Sequence, residues 1–282
     1  MRLEGEKRGE LEMEFRLDPT SGRTILTHLY RRVPLVVQQA LYFDEELPLL
    51  PCVYILSSGG PYVESDRHSI RISLGEGAMA HISTGAATQI GSMERDVAEC
   101  HQQITLSRGA YLEWLPRALI PSRESTYRCH TEVVAHPEAT FCIGEVVACG
   151  RLHSGERFDY TELHLSTTIV RPTGQVVARD GLRLRPQIRH PSEPSLLGGF
   201  THFGTAIIGS SPEVVDAIYG LVEPISRPDS QLSIARIGGG WGLIVRLLGN
   251  SAEQIGSEIR RLCSIVRTQV KGVPLPPEFL WR

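Results

Sequence analysis

Between about residues 11 and 210 the chain is written in short runs in which apolar and polar residues alternate, cut by turn-forming residues. LEMEF at 11–15, SIRISL at 69–74, HQQITLS at 101–107 and ELHLSTTIV at 162–170 put most of their apolar side chains at every second position. Successive residues of a strand point to opposite faces, so each run predicts a half-buried strand. CVYILS at 52–57 and TFCIGEVVACG at 140–150 are further extended segments bounded by turns and predict strands as well. Gly75-Glu76-Gly77, Arg108-Gly109 and Pro172-Thr173-Gly174 supply turns between them. The pattern predicts a mainly β fold, many short strands in a layered or β-helical stack. Turn spacing is too irregular to define a sequence repeat.

The last quarter changes period. Ser211-Pro212-Glu213 is a helix start: a capping residue, proline in the first turn, and an acid at the positive end of the dipole. Val214, Val215, Ile218 and Leu221 then form an apolar face. A second helix begins at a capping box, Ser251 with Gln254, and carries Ile255, Ile259, Leu262, Val266 and Val270 at intervals of three and four. Lys271 and Gly272 end it, with prolines beyond. The predicted helices span 211–223 and 251–271. Between them, 231–237 and 241–248 predict a hairpin around Gly238-Gly239-Gly240. The whole of 1–282 is expected to form one domain, with Pro186–Pro194 crossing its surface.

Composition agrees: 27 glycines and 18 prolines suit tight turns, and 41% hydrophobic residues suffice for a core. A balance of 29 basic against 32 acidic residues, net −3, offers no electrostatic footprint for nucleic acid. Only Lys7 and Lys271 are lysines, and neither lies in a G-x-x-x-x-G-K-[ST] loop, which excludes a P-loop nucleotide site. Both are expected to be exposed near the chain ends. The mixed-charge N-terminus is unlike a signal peptide, and no run approaches the roughly 20 apolar residues of a membrane helix. Six scattered cysteines predict reduced thiols in a cytoplasmic protein.

Catalytic signatures are missing: no G-x-S-x-G, H-E-x-x-H or C-x-x-C, and no dinucleotide fingerprint after a strand. Cys100-His101 and Cys129-His130 are adjacent pairs on strands, so each pair splits its side chains between two faces and chelates nothing by itself. A Cys100/Cys129 or His101/His130 site would require a strand register that the sequence does not reveal; core thiols and surface imidazoles are the simpler expectation. Three carboxylates stand out near glycines: Asp66 after Gly59-Gly60, Glu145 inside an apolar strand, and Glu156 after Gly155. A buried glutamate is costly unless paired or wetted, and Arg151 or Arg157 is the expected ion-pair partner. Otherwise these hard oxygens suit a polar passage or a weak divalent-cation site.

Several segments together resemble the urease accessory protein family UreD, also called UreH. They are Pro34–Gln39, Gly59-Gly60 with Asp66, Ser73–Ala78, Ser83–Thr88, Cys149-Gly150-Arg151 with Ser154–Phe158, Val245–Ser251, and Phe279–Arg282. The most specific is Gly109–Pro116, which matches G-A-x-L-E-W-L-P. The chain departs from the family pattern at Ser65 (a glycine in the family), Thr84 (a proline), Gln89 (a lysine) and Arg117-Ala118 (a glutamine and an acid).

The resemblance implies a mainly β fold with two helices and no catalytic activity of its own. It implies a scaffold that binds apo-urease and recruits UreF and, through UreF, the GTPase UreG. Nickel is then delivered to a urease site where a carbamylated lysine bridges the metals. No tightly bound cofactor is implied; nickel in transit is, and Asp66, Glu145 and Glu156 are the expected lining of its passage. Self-association is expected only through the accessory complex, without nucleic acid or membrane. A stand-alone metal-binding β protein, a metal-dependent hydrolase and a generic β-sandwich binding module remain the alternatives.

Overall fold

A computed structural model describes residues 8–277, so Lys7 and the Phe279–Arg282 motif lie outside the described residues. The architecture is mainly β with a solenoid-like stacking. One sheet carries, in spatial order, Val176–Leu184, Glu162–Val170, Thr126–Ala135, Ala98–Leu106, Arg67–Leu74, Arg8–Leu17 and Thr24–Arg32. The facing sheet is built on Ile225–Ser226, Ser230–Arg236, Gly242–Gly249, His202–Gly209, Thr140–Ala148, Tyr111–Trp114, Met79–Thr84, Cys52–Ser57 and Leu35–Val36. From Cys52 to Val170 the long strands alternate between the sheets, and neighbours within each sheet run parallel.

Stacking without register slip puts like residues above one another. Met13, Ile72, Ile104, Val133 and Ile169 form an apolar ladder through five strands. On the outer face Arg67, Glu99, Arg128 and Glu162 alternate in charge, with contacts of 3.2, 3.8 and 3.2 Å. Partly exposed pairs like these each contribute about 0–1 kcal/mol. They do penalise a one-residue slip, which would set each charge opposite a neutral neighbour such as Ala98, Cys100, Tyr127 or Leu163.

Two helices cover the outer face of the second sheet: α1 (Pro212–Leu221) and α2 (Ala252–Lys271). Ser251 Oγ accepts hydrogen bonds from the Glu253 and Gln254 N–H groups, as the capping pattern requires. Gly272 closes α2 in the left-handed region, its N–H bonded to the Thr268 carbonyl. At α1, Ser211 makes no side-chain cap bond. Two glycines make the docking surface for α2: a Cβ on Gly144 would sit 2.6 Å from Ile259 Cγ2, and one on Gly204 2.4 Å from Ile255 Cγ2. The hairpin pairs Ser230–Arg236 with Gly242–Gly249 as the sequence predicts.

Lys271 departs from expectation. Its ammonium lies 4.9 Å from the Tyr111 ring centroid and is half-buried, and desolvation pulls its pKa below the usual lysine value.

Candidate functional site

The stacked sheets leave a cavity of about 410 Å³ between them. Apolar side chains such as Ile70, Trp114, Ile143 and Ile207 form much of its wall. Its polar groups come from both sheets: Gln102, Cys129, Thr131 and Asp180 from one, Glu145 and Thr205 from the other. Strand alternation explains the lining: Ile143, Glu145 and Val147 share the inward face of Thr140–Ala148, while Cys142 and Val146 point toward the helices.

Glu145 is therefore an inward-facing, half-buried carboxyl. Burial pushes its pKa up to about 7, Asp180 adds to the rise and Arg246 opposes it. Arg246 reaches across the layers, donating to Thr205 Oγ1 at 2.5 Å and to Asp180 Oδ1. The expected partners of Glu145 are engaged elsewhere. Arg151 pairs with Glu156, and Arg157 donates to the Gly199 carbonyl at 3.3 Å. Charges close in sequence lost to charges that the stacking brings across the layers.

The other two carboxylates do not line the cavity. Glu156 is buried; it accepts from Arg151 Nε at 2.9 Å and from the Arg123 N–H at 3.0 Å. The Arg151 bond is the main cause holding its pKa below the usual glutamate value. Gly150 makes this turn feasible: at φ 148° a Cβ would meet the Glu156 carbonyl oxygen at 2.8 Å. Asp66 is 1% exposed; its Oδ2 accepts from the Val63 N–H at 3.0 Å, and its Oδ1 has no hydrogen-bond partner. The preceding Ser65 adopts φ 67°, a conformation natural to glycine, and its hydroxyl donates to Asp96 at 2.8 Å. Among the described residues, no three His, Cys, Asp or Glu side chains converge as metal ligands.

A groove of about 590 Å³ lies between the start of α2 and the segments 85–87 and 115–118. Ala252, Glu253, Gly256, Ser257 and Arg260 form its helical side. Gly85, Ala86, Ala87, Pro116 and Arg117 line both groove and cavity. Thr84 shapes this shared wall, accepting from the Arg117 N–H at 2.9 Å and donating to the Ala86 carbonyl at 3.0 Å.

Beneath α2 lies a buried charge cluster that the sequence reading missed. Glu113 accepts from Arg267 at 2.7 and 3.1 Å and from the Tyr111 hydroxyl at 2.6 Å, and bonds His81 Nδ1 at 2.6 Å. Arg267 also donates to Asp44 at 2.5 Å. Burial alone would raise the Glu113 pKa, but His81 and Arg267 outweigh it and hold the carboxyl at about 2. The available signal was an arginine on the apolar stripe of α2, four residues after Cys263.

A sequence profile described as UreD urease accessory protein matches residues 7–282. The chain belongs to the UreD family. It is 36% identical over 281 residues to Urease accessory protein UreD 2 of Methylorubrum extorquens, covering 98% of this chain and 90% of that protein. The same figures hold for Urease accessory protein UreD 3 of Methylorubrum populi. Urease accessory protein UreD 2 of Brucella suis is 34% identical over 263 residues, covering 92% and 87%. Membership of the UreD family supports a role in urease maturation. In this UreD chain, the Leu112-Glu113-Trp114 core of the signature is a strand whose Leu and Trp enter the interlayer core while Glu113 anchors α2.

Proposed function

We propose that this chain is a non-catalytic scaffold for nickel insertion, which binds apo-urease and recruits UreF and, through it, the GTPase UreG. Nickel is its cargo, and the interlayer cavity is the route. One observation carries the reading: an acid-bearing cavity, with Glu145 and Asp180 on its wall, that shares a wall with a groove against α2. Carboxylate and hydroxyl oxygens, with water, suit a hydrated divalent cation held weakly enough to move on. Glu145 is poised for that task, because a passing cation stabilises the ionised carboxylate that burial disfavours. A chain without a P-loop leaves nucleotide hydrolysis to another protein, which fits recruitment of a GTPase. The six thiols are unpaired with one another as disulfides, which suits a reducing cytoplasm.

Deletion of the gene tests the reading. Urease should still be expressed but be poor in nickel, with partial recovery when external nickel is raised. Normal nickel loading in the deletion strain would overturn it.

A further inference from the structure

One pair of side chains, of which one member lines the cavity and the other lies buried beside it, is left unused by this reading. Cys100 and Cys129 occupy directly opposed positions on neighbouring parallel strands. Their side chains share the inward face, while His101 and His130 lie on the outer face. The two thiols contact each other, and Cys129 opens onto the cavity. We propose that Cys100 and Cys129 form a dithiol site for a thiophilic divalent cation, entered from the interlayer cavity.

Geometry supports the site. Two thiolates bound to one ion at about 2.3 Å each are at most about 4.6 Å apart, and adjacent strands stand about 4.8 Å apart, so a small inward lean brings both sulfurs onto one ion. Cys129 opens onto the cavity, so water from it completes the coordination. Cys129, Tyr62, Gln102 and Tyr127 all reach Cys100 within hydrogen-bonding distance, so its sulfur sits among polar groups. Gln102 Nε2 approaches Cys100 Sγ at 3.9 Å. Binding exchanges the thiol protons for the metal, with no change in oxidation state.

The chain contains its own control. Cys142 and Cys263 also contact each other, but both are buried where α2 packs on the sheet and neither lines the cavity. The site does not depend on the nickel route, and its test uses no urease.

Cadmium is the probe, titrated anaerobically into the reduced, untagged, metal-free chain. Thiolate-to-cadmium charge-transfer absorption should grow and saturate at one ion per chain. Cys129→Ser should abolish it, and Cys142→Ser should leave it unchanged. The unaltered chain gives a second measurement: cadmium should protect Cys100 and Cys129 from iodoacetamide, read by peptide mass spectrometry. Absorption that survives Cys129→Ser, absorption lost equally in Cys142→Ser, or labelling of Cys129 indifferent to cadmium each overturns the proposal.

Discussion

Arg267 of α2 and Glu113 of the central sheet stand 154 residues apart in sequence and meet in two hydrogen bonds of 2.7 and 3.1 Å, both side chains fully buried. Asp44, from the segment before Cys52–Ser57, takes a further donor of the same guanidinium. One arginine thus ties the helical layer, the sheet and an early loop together. Removing it leaves two buried carboxylates short of their partner. Arg267→Leu should therefore cost about 3–5 kcal/mol, read as a lower urea midpoint with an unchanged far-ultraviolet spectrum before the transition. An unchanged midpoint would show that the cluster contributes nothing to holding α2.

The acid limb of stability should depend on Glu113. Its folded pKa of about 2 lies below the ordinary 4.5, so its contribution is present above pH 4.5 and is lost as pH falls toward 2. Urea unfolding between pH 6 and pH 3 should show stability falling in the natural chain. Glu113→Gln should be weaker at pH 6 and fall less steeply.

Glu145 has the opposite sign. Its folded pKa of about 7 exceeds 4.5, so the folded state binds the extra proton, and stability declines as pH rises from 4.5 through 7. Glu145→Gln should remove that decline and leave the chain roughly 1–2 kcal/mol more stable at pH 8, a figure reduced for screening in a half-buried site. Loss of stability at pH 8 would mean that Glu145 is held by an ion pair instead.

Close approach of α2 to the sheet rests on absent side chains. Gly144→Ala inserts a Cβ 2.6 Å from Ile259 Cγ2 and 3.2 Å from Leu115 Cδ2. It should cost about 1–3 kcal/mol by overpacking, whereas Gly256→Ala, whose Cβ meets nothing within 4 Å, should be neutral or stabilising.

Much of this fold is legible because the strands alternate and α2 carries its caps in sequence. The stacking is not, because segments such as 58–66 and 149–161 differ in length and hide a repeat that exists only in register. Glu145 shows the same limit. Sequence neighbours Arg151 and Arg157 were the natural partners to expect, but Asp180 and Arg246 arrive from strands further along the chain. The Cys100–Cys129 contact likewise depends on a register that no local pattern encodes. The Gly109–Pro116 motif is recognisable as a signature, yet its glutamate acquires meaning only when α2 lays Arg267 over it.

The nickel content of urease matured with Glu145→Gln tests the proposed route most directly. Urease subunits, UreF, UreG and either form of this chain would be co-expressed at limiting nickel, and metal per purified urease measured by mass spectrometry. The variant should fold, reach the same level and retain as much UreF on purification as the natural chain, while its urease carries several-fold less nickel. Full nickel loading through a folded Glu145→Gln chain would contradict passage by the cavity.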